Sequence, residues 1–536
     1  MSLQPRGTLH SRGTVAAELP GAGSPQGFRR FDELFPRAAL VGLMLLSAAL
    51  RVHQLGRESF WLDEAFSVLL ARADGRWFFH ALADREANMA LYYGLLRLWT
   101  VAGEGEAWVR GLSVLASVLT VPAVYALGTR LFGRRAGLLA ALLLTLNAFH
   151  VRYAQEARGY AALVLFATLA SLLFARGLVP REGSRRVAIW MGWALVCALA
   201  AYSHFFGALV PAAHLASLAF HRGGRRSIPW RPLAAATVAV VLLVLPLGLF
   251  IVHRDVGQVS WIEPPSPVLL RTFFRRLAGG GGDSLLAAYV GLGLLALWPW
   301  GQPAAGAGAV LRDPQPNSAG SGWAGAFLLL WLLLPVTLVY LVSRVKPLFV
   351  DRYLSFCLPP FVLLAAAGLQ RVAPRAIRAA MLLALVALAG RGLVWYYDGD
   401  DKEDWRGATA HILAEARRGD AVVFHAAYVA RAYEYYRDRF EAGRKPPALV
   451  SPSLGYVHFV RTADPRELTP SLLRSLPKRY GRVWIVLSHE GFHDVQRAMT
   501  EAEIHGELVP AYPSVSEHAF KDIRVRLYSR AAEPRT

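Results

Sequence analysis

Apolar stretches of membrane-spanning length dominate the chain. They fall at about 37–55, 108–131, 136–151, 157–177, 187–203, 205–220, 233–252, 284–300, 323–343, 353–370 and 376–397. Each is long enough for a helix to cross a bilayer, which predicts about eleven spans. Only helices suit such segments, because a backbone in lipid has to satisfy its own hydrogen bonds. The pattern changes in two places. The connection at 56–107 is too long for a simple turn, and Met89–Trp99 within it reads as an amphipathic helix at the interface, with aromatic anchors. From Asp398 onward, helix and strand signals alternate. Trp405–Arg418 predicts a helix, Ala421–His425 a strand, Val429–Phe440 a helix, Arg482–Ser488 a strand and Phe492–His505 a helix. This order suggests a soluble α/β domain. The division is therefore a cytoplasmic N-terminus at 1–36, a membrane domain at 37–397 and a soluble domain at 398–536. A further connection at about 253–283, with Trp261, Pro264, Pro265 and the Gly279–Gly282 run, reads as a candidate lid.

Composition supports the membrane assignment. Hydrophobic residues make up 54% of the 536 and charged residues 18%, with mean hydropathy +0.33; soluble domains carry about 25% charged residues. Cys197 and Cys357 both lie in apolar segments, which argues against a disulfide framework. The polar, basic first 35 residues do not read as a cleavable signal peptide. A formal charge of +20 tempts a nucleic-acid reading. Its distribution argues otherwise, since the chain from Asp398 is near neutral, with 21 basic and 20 acidic residues. The surplus lies in the connections after the second, fourth, sixth and tenth spans, for example Arg134, Arg135, Arg185, Arg186, Arg225, Arg226, Arg375 and Arg378. Basic connections face the cytoplasm. The loop at 56–107 and the tail then face the opposite side.

Four constellations on that opposite side carry candidate chemistry. Asp63 and Glu64 follow the first span by about a dozen residues, flanked by Trp61, Leu62, Ala65 and Phe66. Charge close to hydrocarbon is costly and is usually kept for function. Adjacent carboxylates serve as a general base or hold a divalent cation; a helix N-terminal acid is the bland alternative. At the exit of the third span, Arg152 and Glu156 stand at i and i+4, a spacing for pairing, with Arg158 just beyond. His204 sits in the turn after the fifth span. The stretch Arg344–Tyr353 keeps Arg344, Lys346 and Arg352 where the loop bias disfavours cations, which suggests an anion partner such as phosphate. No repeat, phosphate loop, dinucleotide turn or zinc-finger spacing is present.

The elements Trp61-Leu-Asp-Glu-Ala, Leu91-Tyr-Tyr, Leu131-Phe-Gly-Arg-Arg-Ala-Gly137, Tyr153-Ala-Gln-Glu-Ala-Arg-Gly-Tyr160, Tyr202-Ser-His-Phe and Asp351-Arg-Tyr-Leu occur in this order and on consistent sides of the membrane. In this the chain resembles the GT-C membrane glycosyltransferases that use polyprenyl-phosphate sugars. It looks closest to the bacterial branch of protein O-mannosyltransferase-like and lipopolysaccharide-core-glycosyltransferase-like proteins. The resemblance covers about 37–397, and the tail resembles the periplasmic extension of some members. It implies a multi-pass enzyme of the bacterial inner membrane with its site facing the periplasm. Asp63 would be the catalytic base, with Glu64 beside it and Glu156 as a supporting acid. Arg158, Tyr92, Tyr93, His204, Lys346, Arg352 and Tyr353 would bind substrate, the basic residues holding lipid phosphate. The implied partners are a polyprenyl-phosphate-sugar donor and an acceptor hydroxyl on a glycan, lipid or protein. Many relatives read His-Pro-Pro where this chain has Asn88-Met89-Ala90, and metal dependence varies among these enzymes, so no cofactor is assigned and a divalent cation stays open. The rival class, a transporter or lipid flippase with a periplasmic domain, predicts ionisable residues near the bilayer midplane and paired helix breaks.

Overall fold

The computed structural model describes residues 26–530, except 85, 180–182, 222–227, 254–261, 299–320, 400–401, 426–428, 441–447, 450–467 and 489–498. Trp261 of the candidate lid lies outside the described residues. The described residues of the eleven apolar segments are mostly helical, though fewer of them qualify as spans. They begin with α1 (Gln26–Val52), from which the chain enters the loop. There, α2 (Leu62–Arg72), α3 (Gly75–Asp84) and α4 (Ala90–Trp99) replace a simple connection. The bundle continues through α5 (Glu106–Phe132), α6 (Arg134–Thr145), α7 (Ala148–Ala154), α8 (Tyr160–Gly177), α9 (Ser184–Ser203), α10 (Leu209–Ser217) and α11 (Trp230–His253). It is completed by α12 (Pro267–Leu277), α13 (Asp283–Leu297), α14 (Ser321–Val342), α15 (Leu358–Arg371) and α16 (Arg375–Asp398). Seven helices are long and apolar enough to cross a membrane, or eight if α6 and α7 form one span bent by 61°. The segments at 205–220 and 283–297 are shorter apolar helices.

The bend between α6 and α7 has an identifiable cause. Asn147 caps α7 by accepting from the backbone N–H of His150 at 2.9 Å, and its amide donates to the Leu277 carbonyl at 3.0 Å. At the end of α6 the Thr145 carbonyl accepts from the buried guanidinium of Arg51 at 3.3 Å, and the Leu144 carbonyl accepts from it at 3.4 Å and from the Asn147 N–H at 3.3 Å. Arg51 also bonds Ser117 and Nδ1 of His150, at 2.5 and 2.8 Å. No carboxylate joins this cluster among the described residues. Carbonyl dipoles at a helix C-terminus favour a cation in the same way.

Glycines set the tightest helix crossings, as expected where helices associate by close packing. A Cβ on Gly128 would lie 2.8 Å from Cα of Gly137, bringing α5 against α6. One on Gly368 would lie 1.9 Å from the Leu292 carbonyl oxygen, bringing α15 against α13. The Gly279–Gly282 turn, with φ of +111°, +72° and +87° at Gly279, Gly280 and Gly282, is packed rather than loose. A Cβ on Gly392 of α16 would meet the Gly279 carbonyl oxygen at 2.3 Å.

The tail forms α17 (Trp405–Glu415), β1 (Ala421–Phe424), α18 (Ala430–Phe440), β2 (Ala448–Leu449), α19 (Pro470–Ser475), β3 (Arg482–Ser488), α20 (Glu501–Leu508), β4 (Ser514–Phe520) and β5 (Ile523–Ser529). The five strands make one mixed sheet in the order β2-β1-β3-β5-β4, with β1 parallel to β2 and β3, and β5 antiparallel to β3 and β4. The helix expected at 492–505 instead starts at Glu501, because Thr500 and Glu503 close a capping box there; residues 489–498 lie outside the described residues. The sheet domain docks on the first loop. The Phe60 N–H donates to the Tyr436 hydroxyl at 2.6 Å, Tyr435 donates to the Glu104 carbonyl at 2.8 Å, and Ser59 donates to the Glu403 carbonyl at 2.5 Å.

Candidate active site

Trp61 is the extended residue before α2, so Asp63 and Glu64 fall in the first turn of a helix. Anions there meet the positive end of the helix dipole. The helix also separates the pair. Asp63 stays partly exposed, with 32% of its side chain accessible, and lies 3.7 Å from the Arg158 guanidinium. Glu64 points inward and is fully buried. Its Oε1 accepts from Arg110 Nε at 2.8 Å and from the Ala157 N–H at 2.9 Å; its Oε2 accepts from Arg110 Nη2 at 2.8 Å and Lys402 Nζ at 3.0 Å. Burial alone would raise this carboxyl, but Arg110 and Lys402 outweigh it and pull it down to about 2. Glu64 is thus a knot, charged at neutral pH, joining α2, α5, the bend before α8 and the tail. Both carboxylate oxygens are engaged by protein donors. No group of three candidate metal ligands occurs among the described residues.

The bend between α7 and α8 carries Glu156 and Arg158 to the same place. Arg158 donates to the Tyr93 hydroxyl at 2.9 Å, and Ser113 donates to its carbonyl at 3.2 Å and to the Tyr92 hydroxyl at 3.3 Å. Tyr92 is a buried wall behind the bend, while Tyr93 is a direct neighbour of its cation. Glu156 lies 3.9 Å from Arg152, so the i,i+4 pair forms, though loosely. Burial raises the Glu156 carboxyl from its ordinary value, with Lys402 the strongest charged partner opposing the rise.

The Asp351–Tyr353 segment closes the cluster from the far end of the sequence. Asp351 accepts from Arg276 at 2.7 Å on one oxygen, and from Tyr153 at 3.3 Å and the Arg352 N–H at 2.7 Å on the other. The Arg352 guanidinium stands 5.6 Å from the ring of Trp61, two residues from Asp63. Tyr353 packs on His204, with ring centroids 4.6 Å apart, and stacks on Tyr160 at 6.3 Å. His204 Nδ1 accepts from the Phe206 N–H, which places the imidazole proton on Nε2. Burial, together with Arg158 and Arg352, pushes this histidine down to about 3, so it is neutral. Glu156 Oε2, Arg158 Nε, His204 Nε2 and Trp61 Nε1 are buried with no hydrogen-bond partner among the described residues. Buried polar atoms are nearly always paired; four around one cluster mark where a polar ligand can satisfy them.

Of the ten candidates, the structure brings together Asp63, Glu64, Glu156, Arg158, Tyr92, Tyr93, His204, Arg352 and Tyr353. Lys346 is exposed, and among the described residues no side-chain contact ties it to the cluster. Asn88, at the site of the departure from the His-Pro-Pro pattern, accepts from the Phe205 N–H at 3.1 Å and so holds the His204 turn. The sequence reading missed Arg110 and Lys402. Arg110 falls inside the predicted span at 108–131, but its partner Glu64 lies 46 positions away. Lys402 lies among Asp400, Asp401, Glu403 and Asp404, where nothing in the sequence marks it.

A family profile, dolichyl-phosphate-mannose-protein mannosyltransferase, matches residues 91–250. The matched segment is similar to that family over less than a third of the chain, and the fold is the multi-pass GT-C fold shared with solved membrane glycosyltransferases. Among solved structures, ArnT from Cupriavidus metallidurans in the apo state superposes with TM-score 0.61 at 13% identity, covering 95% of this chain and 100% of that one. The same protein bound to undecaprenyl phosphate gives 0.58 at 12%, covering 92% and 99%. The Archaeoglobus fulgidus oligosaccharyltransferase tethered to an acceptor peptide gives 0.51 at 13%, covering 92% of this chain and 74% of that one. No curated protein matches the chain in sequence.

Proposed function

We propose that the chain transfers a sugar from a polyprenyl-phosphate-linked donor to an acceptor hydroxyl, with inversion, on the extracytoplasmic face. The observation that carries this reading is the placement of a partly exposed carboxylate, Asp63, 3.7 Å from Arg158 and beside the Arg352–Trp61 contact. A base and two cations meet where a hydroxyl, an anomeric carbon and a phosphate have to meet. In this reading the acceptor oxygen attacks the anomeric carbon as its proton passes to Asp63. The bond from that carbon to the phosphate oxygen breaks, and its electron pair leaves on the polyprenyl phosphate. Positive charge builds on the sugar in the transition state. Arg158 and Arg352 stabilise the departing anion. The uncharged His204 Nε2–H, next to Tyr353 and Tyr160, donates to a sugar or phosphate oxygen. Lys346, being exposed, is assigned no contact with the phosphate. A divalent cation is given no step, since Glu64 is fully engaged. The basic connections between spans support an inner-membrane protein with this end toward the periplasm. The undecaprenyl phosphate held by ArnT supports a lipid-linked donor.

The test is transfer of label from undecaprenyl-phosphate-linked hexoses and pentoses to a total membrane extract. Loss of a general base costs about 10²–10⁴-fold. Asp63→Asn is expected to lose at least that lower factor while folding normally. Full transfer by this variant overturns the base assignment, and no transfer by the native protein from any such donor overturns the lipid-donor reading.

A further inference from the structure

We infer that Lys402, from the start of the tail, is a positioning residue of the membrane site. It holds the bend that carries Arg158 against the helix that carries Asp63. The geometry is a four-charge balance. Glu64 and Glu156 are both buried, at 0% and 5% exposure, and each disfavours ionisation of the other. Arg110 is spent on Glu64, taking both of its oxygens at 2.8 Å. The second cation is Lys402, whose ammonium reaches Glu64 Oε2 at 3.0 Å and the Gln155 carbonyl at 3.3 Å. It therefore spans the two elements, with one contact on α2 and one on the bend. Its own backbone N–H donates to Glu58 Oε1 at 3.3 Å, which fixes the tail at this point.

Removing the ammonium leaves Arg110 on Glu64, and only the half-exposed Arg152 at 3.9 Å and the more remote Arg352 as cations acting on the buried Glu156. Burying an unbalanced charge is strongly unfavourable. The response available to the molecule is for Glu156 to move outward, and Arg158 lies two residues further along the same bend. The 3.7 Å approach of Arg158 to Asp63 is then lost. The sheet domain itself stays docked, because Phe60, Ser59 and Glu104 make separate bonds to it. On this argument the tail completes the catalytic centre through one side chain, a role distinct from acceptor recognition.

The test uses the full-length protein in lipid nanodiscs as wild type, Lys402→Met and Lys402→Arg. Amide exchange of the 155–160 segment, the affinity for undecaprenyl phosphate and the melting temperature are measured for each. In Lys402→Met, exchange of this segment should quicken and affinity should fall, each by at least tenfold. Lys402→Arg, which keeps the cation, should restore both to within threefold of wild type. Unchanged exchange in Lys402→Met overturns the inference. A lower melting temperature with unchanged affinity shows a structural role only and also overturns it, as does a Lys402→Arg no better than Lys402→Met. The affinity arm rests on the lipid-donor reading. If the wild type does not bind undecaprenyl phosphate, that reading fails by itself, and the exchange results alone decide the role of Lys402.

Discussion

Asp63 and Glu64 are neighbours in sequence with opposite environments, and the difference is one step of a helix. Successive helical residues point about 100° apart, so the first turn of α2 sends Asp63 to the open side and Glu64 into the bundle. The two variants should separate accordingly. Asp63→Asn should abolish transfer with little change in melting temperature, whereas Glu64→Gln should lower stability. Breaking a buried ion pair costs about 3–5 kcal/mol. The pH dependence has a definite sign. The folded Glu64 carboxyl sits at about 2, below its ordinary 4.5, so its contribution is fully present above about 4.5 and is lost as pH falls toward 2. Thermal melts between pH 6 and 3 should show wild type losing stability more steeply than Glu64→Gln; parallel curves would refute the depressed carboxyl. Asp63 was legible in the sequence because charge beside apolar residues at a membrane surface has few structural uses. Arg110 and Lys402 were not singled out, since their meaning comes from partners 46 and 338 positions away.

At the scale of elements, the bent pair α6 and α7 presents the chemistry. A straight span would carry 150–158 onward along the axis, whereas the 61° bend turns the chain so that Glu156 and Arg158 reach α2. Arg51 caps the break, so Arg51→Met should strand the Thr145 carbonyl and weaken the hydrogen bonding of Leu144, Ser117 and His150, which keep the Asn147 N–H and each other. Unpaired buried groups cost about 1–3 kcal/mol each. The expected outcome is a drop in melting temperature of several degrees, with lower activity in the folded fraction; an unchanged melt would remove Arg51 as the cap. The crossing of α13 and α15 gives a sharper case. Gly368→Leu places side-chain carbon where the Leu292 carbonyl stands, 1.9 Å from an added Cβ, and should yield no folded protein by size-exclusion chromatography. The sequence marked the spans by their apolar length but did not mark the β4–β5 hairpin. Five successive residues of β4, Val515 to Ala519, are exposed, so it lacks the alternation that identifies a half-buried strand.

For the whole molecule, Asp63, Glu156, His204 and Arg352 come from four distant parts of the chain and meet at one end of the bundle. From eleven predicted spans with basic connections toward the cytoplasm we propose that this end is extracytoplasmic, and the proposal can be checked directly. Cys197 and Cys357 are buried, giving a silent background for thiol labelling. In intact cells an impermeant reagent should modify Val101→Cys, at a position 86% exposed beside the first loop. It should modify Arg135→Cys only after permeabilisation, and the reverse pattern would invert the topology. The chain by itself determined that it spans a membrane, which connections carry positive charge, and where helices and the first tail strands lie. These follow from hydrophobic length and from local charge, which act along the sequence. It also marked Asp63, Glu156 and Arg352 as carboxylates and a cation in expensive surroundings. Only the tertiary structure decided that Glu64 is a buried knot, that Lys346 stands apart, and that the tail reaches back through Lys402. Those outcomes depend on which charges share a low-dielectric interior and on how many neutralising partners each one finds there. That balance is set by packing between distant segments.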